Sequence, residues 1–147
     1  MAPRVIIISI LVISLSLKGI FKTYPDGRSN MKKMQNVIEA LNERDLKFGY
    51  TCTDVYNKQI NLFTGEEIFT SVLLYDSDIE KFYIEKELSY DYELEKPTGI
   101  DTFFVLSDAY TDHCLSENCK EKVDLNDDSL SLYIFDMSSF DKIIEIE

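Results

Sequence analysis

The chain has 147 residues, with 15 basic against 27 acidic side chains and a formal net charge of −12. Hydrophobic residues at 45%, including nine Phe and nine Tyr, exclude a disordered acidic protein. The charge argues against a nucleic-acid partner, because a phosphate backbone rewards basic surface. It is also unevenly spread. Residues 1–33 hold six basic groups and one acid, giving +5, while the remaining 114 residues hold nine and 26, giving −17.

Val5 to Leu17 (VIIISILVISLSL) contains no charge and only three serines, and Lys18 to Phe21 extend it. A bilayer core of ~30 Å needs ~20 helical residues, so residues 1–22 read as a short or tilted transmembrane helix or signal anchor. A cleaved signal peptide, with a hydrophobic region of ~7–15 residues, is the second reading, and a buried core element the third. More basic residues follow the run than precede it, which by itself favours a cytoplasmic C-terminal part. Only four residues stand ahead of the run, as for the last span of a longer membrane protein.

Lys22 to Asn30 (KTYPDGRSN) reads as a polar linker, with Pro25-Asp26-Gly27 as a turn. The expected boundaries are a span over 1–22, a linker over 23–30 and a soluble domain over 31–147. Met31, Met34, Val37, Ile38 and Leu41 recur at helical spacing, which predicts an amphipathic helix of about four turns. Phe48-Gly49-Tyr50-Thr51 predicts a short strand. Asp54 is placed to cap a second helix carrying Val55, Tyr56, Ile60 and Phe63, stopped at Thr64-Gly65. Three nearly continuous apolar runs follow, Ile68–Tyr75, Thr102–Leu106 and Leu130–Phe135, as expected for strands covered on both faces. Lys122–Leu125 reads as an edge strand and Ile143–Ile146 as a last short one. Ser77–Leu88 and Ser107–Cys119 read as helical or irregular. Strands alternating with helices predict an α/β domain with a mainly parallel sheet of four to five strands flanked by helices.

The stretch Val37–Ile68 (VIEALNERDLKFGYTCTDVYNKQINLFTGEEI) is more specific. Leu41-Asn42-Glu43-Arg44-Asp45-Leu46, Phe48-Gly49-Tyr50, Tyr56-Asn57 and Thr64-Gly65-Glu66 follow in order, and Phe103–Leu106 and Leu132–Asp136 sit where further strands are due. This resembles the C-terminal extracytoplasmic domain of bacterial GT-C-type membrane glycosyltransferases, the polyprenyl-phosphate-sugar-dependent, dolichyl-phosphate-mannose mannosyltransferase-like proteins. The chain departs from that pattern at Thr51-Cys52-Thr53-Asp54, where a small residue and an aromatic pair usually follow the Gly-Tyr. The resemblance implies an extracytoplasmic accessory domain at the cell membrane, with membrane lipid, a lipid-linked sugar or a glycan acceptor as partners. The catalytic carboxylate of that family lies in an early loop with no counterpart here, so the implied role is non-catalytic.

Asp76, Asp78 and Glu80 follow the strand ending at Tyr75, at a carboxyl edge where α/β sites form. Asp76 and Asp78, with Tyr56 and Asn57 of the second helix, are the candidate substrate-binding residues. Cys114 and Cys119 enclose four residues, short enough for a loop-closing disulfide; two reduced thiols at a helix end is the other reading. Cys52 reads as a buried apolar thiol. His113, the only histidine, has neither a nucleophile motif nor a second cysteine pair for zinc, and reads as solvent-facing. Asp124–Asp128 lacks the Gly and terminal Glu of a calcium loop. Tyr83, Tyr90 and Tyr92 interleave with Glu85, Glu87, Asp91, Glu93 and Glu95, a composition suited to sugar stacking or to packing under a loop. No nucleotide-binding or HExxH motif occurs, so no catalytic residue, cofactor or metal is expected. A small secreted or singly anchored binding protein, using its acidic face against a basic partner, is the alternative function.

Overall fold

The computed structural model describes residues 25–65, 67–84, 97–108, 112–125 and 129–146, without the side chains of 25–30 and 112–113. The chain divides into two units, Met1–Lys32 and Lys33–Glu147, and the second holds the whole sheet. The apolar run 5–17, the acidic tyrosine stretch 85–95 and Asn126–Asp128 lie outside the described residues. Among the described residues no helix is long and apolar enough to cross a membrane.

Helix α1 spans Pro25–Glu43. It therefore begins inside the stretch expected to be a linker. Proline's fixed φ and missing N–H suit the first helical turn as well as they suit a tight turn, which is why Pro-Asp-Gly misleads. Met34, Val37, Ala40 and Leu41 form its buried stripe. Its end is a Schellman turn. Asp45 takes a left-handed φ of 52°, its N–H donates to the Asn42 carbonyl, and the Leu46 N–H donates to the Leu41 carbonyl at 3.0 Å. Leu41 and Leu46 are buried in the same cluster, the apolar contact that this turn favours.

Strand β1 (Phe48–Thr51) leads to helix α2 (Asp54–Thr64), which ends on Gly65 with φ 59° and its N–H on the Asn61 carbonyl. Strands β2 (Phe69–Asp76) and β3 (Lys81–Ile84) form an antiparallel hairpin. Next come β4 (Thr102–Asp108), the short helix α3 (Asp112–Ser116), β5 (Glu121–Val123) and β6 (Leu130–Asp136). A 3-10 turn at Met137–Ser139, helix α4 (Phe140–Ile143) and β7 (Ile144–Glu145) finish the fold.

The strand order is β5-β6-β4-β1-β2-β3-β7. β1 pairs in parallel with β2 and β4, and β3 with β7; β2–β3, β4–β6 and β5–β6 are antiparallel. The domain is thus α/β, but the sheet has seven strands and is mixed, where four to five mainly parallel strands were expected. One cause is β3. KFYI alternates between half-buried and buried, directly after an exposed, charged turn that reads as irregular. The other is β6. A strand buried on both faces is a continuous apolar run whichever way it points, so Leu130–Phe135 carries no mark of direction.

Each sheet face has its own core. Phe104, Leu106, Leu132 and Ile134 pack with Met34, Val37, Leu41 and Ile60 under α1 and α2. The opposite face is aromatic: Tyr50, Phe82, Phe103, Tyr133, Phe135 and Phe140, with Leu115 of α3 and Ile143 of α4. Phe103 stacks on Phe135 at 5.2 Å and meets Phe140 edge-on at 5.5 Å.

Candidate functional site at the carboxyl edge of the sheet

The chain leaves β1 through α2 toward β2 on one side, and leaves β4 toward β5 and β6 on the other. The carboxyl ends of β1 and β4 therefore flank a point where strand order reverses, the usual place for a ligand crevice in an open α/β sheet. Side-chain alternation puts Cys52, Ser107 and Tyr75 on the aromatic face, in line with Tyr50, Val105 and Leu73. Cys52, Tyr75 and Cys114 are partly buried against that same core, so with Ser107 one corner of the edge gathers thiols and hydroxyls from β1, β2, β4 and α3; Cys119 lies toward the other end, beside the Lys120–Asp136 pair.

Local hydrogen bonds shape this corner. The Cys52 N–H donates to the Leu106 carbonyl at 2.9 Å, extending the β1–β4 ladder past Thr51. Thr51 Oγ1 donates to the Thr53 carbonyl at 2.8 Å, and Ser107 Oγ to the Asp108 carbonyl at 2.7 Å. Thr53 caps α2 through its extended backbone, not its side chain; Oγ1 is buried with no hydrogen-bond partner among the described residues. Asp54, expected as the cap, lies in the first turn and pairs with Lys58 at 2.5 Å. A carboxylate there is favourable beside the helix N-terminus. Tyr75 hydrogen-bonds Cys114. That bond, then burial, then negative charge at Cys114, Glu80 and Asp76 push its hydroxyl up from 10.0 to about 12.

No disulfide joins Cys114 to Cys119; all three cysteines are thiols. The physical reason is that the pair has separate partners. Cys119 Sγ turns to the Ser116 carbonyl at 3.4 Å, closing the turn after α3, whereas Cys114 engages Tyr75. Cys52 is half-buried, less enclosed than expected. His113 lies in α3, its side chain outside the description. Among the described residues no group of three or more His, Cys, Asp or Glu is placed to hold a metal ion.

The four candidate substrate-binding residues do not converge. Asp76 ends β2, and its Oδ1 accepts the Asp78 N–H at 2.8 Å, an Asx turn that shapes the β2–β3 hairpin and leaves the Asp78 carboxylate exposed. Asn57 is 6% exposed and belongs to the fold. Its Oδ1 accepts from Thr70 Oγ1 at 2.6 Å and from Asn61 Nδ2 at 3.2 Å, fastening α2 to β2. Tyr56 packs against the helix-side core. Thr70 and Asp76 are six residues apart on β2, roughly 20 Å at ~3.3 Å per residue. Sequence reasoning missed Tyr75 and Ser107; their position at strand ends beside the reversal was the signal, hidden until the strand order was known.

No family model, curated protein or solved structure matches the chain.

Proposed function

We propose that this chain is a membrane-tethered accessory domain of a polyprenyl-phosphate-sugar-dependent, glycosyltransferase-like membrane protein, holding a lipid-linked sugar or a glycan acceptor outside the cytoplasm. The observation that carries this reading is the profile of the chain itself. Thirteen uncharged residues within a +5 segment precede a −17 segment that folds as an α/β unit with buried cores on both sheet faces. Sugar contacts belong on the β2–β3 hairpin. There the exposed Asp78 carboxylate, held by the Asx turn to Asp76, offers acceptors for sugar hydroxyls. Tyr56 and Asn57 act from behind, by holding α2 in place.

The test uses the full chain in lipid nanodiscs. Dolichyl-phosphate-mannose should bind saturably and tighter than dolichyl phosphate, and Asp78→Asn should weaken that preference by roughly three- to tenfold, the net worth of one ordinary hydrogen bond. Indistinguishable binding of the two lipids would overturn the sugar-holding role. The −17 segment supports a second reading, an acidic binding protein made with a cleaved signal. Sequencing a mature N-terminus near Lys18 would establish the cleavage that this reading needs.

A further inference from the structure

Helix α2 carries apolar side chains on two sides. Ile60 and Asn57 face the sheet and are buried, while Val55 and Leu62, seven residues apart and so aligned along the opposite side, are 60% and 76% exposed. Phe63, one position round from Leu62, is 50% exposed. Lys58 and Gln59 lie between them, and Lys58 is paired with Asp54. Helix α2 itself is neutral, with Asp54 and Lys58 as its only charges. Residues 33–65 hold four basic and four acidic side chains, whereas residues 66–147, beginning with Glu66 and Glu67 just past the helix, hold six and 22. An anionic headgroup layer repels the second group and does not repel the first. Seven residues separate Leu17 from Pro25, a tether that reaches roughly 25 Å at full extension.

We propose that the outer side of α2, through Val55, Leu62 and Phe63, rests in the headgroup–acyl boundary of the bilayer that Val5–Leu17 enters. This deepens the membrane-tethered reading and rests on it. A neutral, apolar helix side lets an otherwise acidic domain lie against a lipid surface, which brings the sheet within reach of a lipid-linked ligand.

The chain contains no tryptophan, so a single introduced one reports without background. Full-length Leu62→Trp and Val55→Trp, each in vesicles of phosphatidylcholine with and without brominated acyl chains, should emit at blue-shifted wavelength. Each should lose about half or more of its intensity to bromine, as a side chain ~5–10 Å into the boundary does. Ile79→Trp, in the exposed β2–β3 turn, should be unaffected. A water-like, unquenched emission at 62 and 55, in a chain that resists alkaline carbonate extraction, overturns the α2 contact and leaves the tether standing. A blue shift without bromine quenching overturns it in favour of a second copy of the chain. Complete release by carbonate refutes the tether, and the lipid contact with it.

Discussion

Gly49 shows how one residue type is forced by a neighbouring strand. A Cβ there would meet the Phe104 ring and stand 2.5 Å from the Phe104 carbonyl oxygen, because β1 and β4 pair at Gly49 and Phe104. Gly49→Ala should therefore destabilise the domain by about 2–3 kcal/mol, read as a lower urea midpoint with an unchanged slope. Tyr75 gives a pH signature. Its hydroxyl is held up at about 12 in the fold against 10.0 unfolded, so the folded state keeps a proton that the unfolded state gives up. The stability this contributes is present below pH 10 and lost as pH rises toward 12. Difference absorbance titration against Tyr75→Phe should isolate a late-ionising tyrosine, and in Cys114→Ala that component should move toward 10. Neither residue's role was legible in the sequence, since each depends on a partner more than 30 positions away.

At the scale of elements, α2 is fastened to β2 by a small polar network inside an apolar layer. Asn57→Ala removes the nearer of Thr70's two side-chain acceptors, leaving Asn61 Oδ1 at 3.0 Å, and removes the partner of Asn61 Nδ2; it should lower stability by about 1–2 kcal/mol. In the double variant with Thr70→Val the effects should sum to less than the two singles, because Thr70 would no longer be left with a lost bond; a fully additive result would show that the network is not shared. The helices were legible where an apolar stripe recurs every three or four residues, as in Met34, Val37 and Leu41. Strands β2, β4 and β6 were legible as runs. Their direction was not, because burial on both faces erases the alternation that separates pairing patterns. β3 was hidden by shortness. Asn57 looked like a binding residue because helix spacing alone does not say that Thr70 waits beneath it.

Across the whole molecule the acids outnumber the bases by twelve, a charge that works against the compact state. Among the described residues the bridges that cross elements are exposed or half-exposed: Arg44 from the end of α1 to Glu121 of β5 at 2.9 Å, Lys81 to Glu145 at 3.3 Å, and Lys120 to Asp136 at 2.8 Å. Exposed pairs of this kind contribute little each, so self-repulsion among the acids dominates. Raising sodium chloride from about 10 to about 500 mM shortens the Debye length from ~30 to ~4 Å and should raise the thermal midpoint. A fall would mean that the peripheral bridges outweigh the repulsion.

The sequence by itself determined the uncharged run at 5–17, the acidic excess after it, the two early helices and the apolar strands, since each is a local pattern of burial or charge. Only the tertiary structure decided the strand order, the mixed pairing and the corner where Cys52, Tyr75, Ser107 and Cys114 gather. It also decided between the two readings of Cys114 and Cys119, which are thiols with separate partners. The reason is the same in each case. Hydrogen-bond partners across a sheet are chosen by the fit of whole faces, and no run of neighbouring residues encodes that fit.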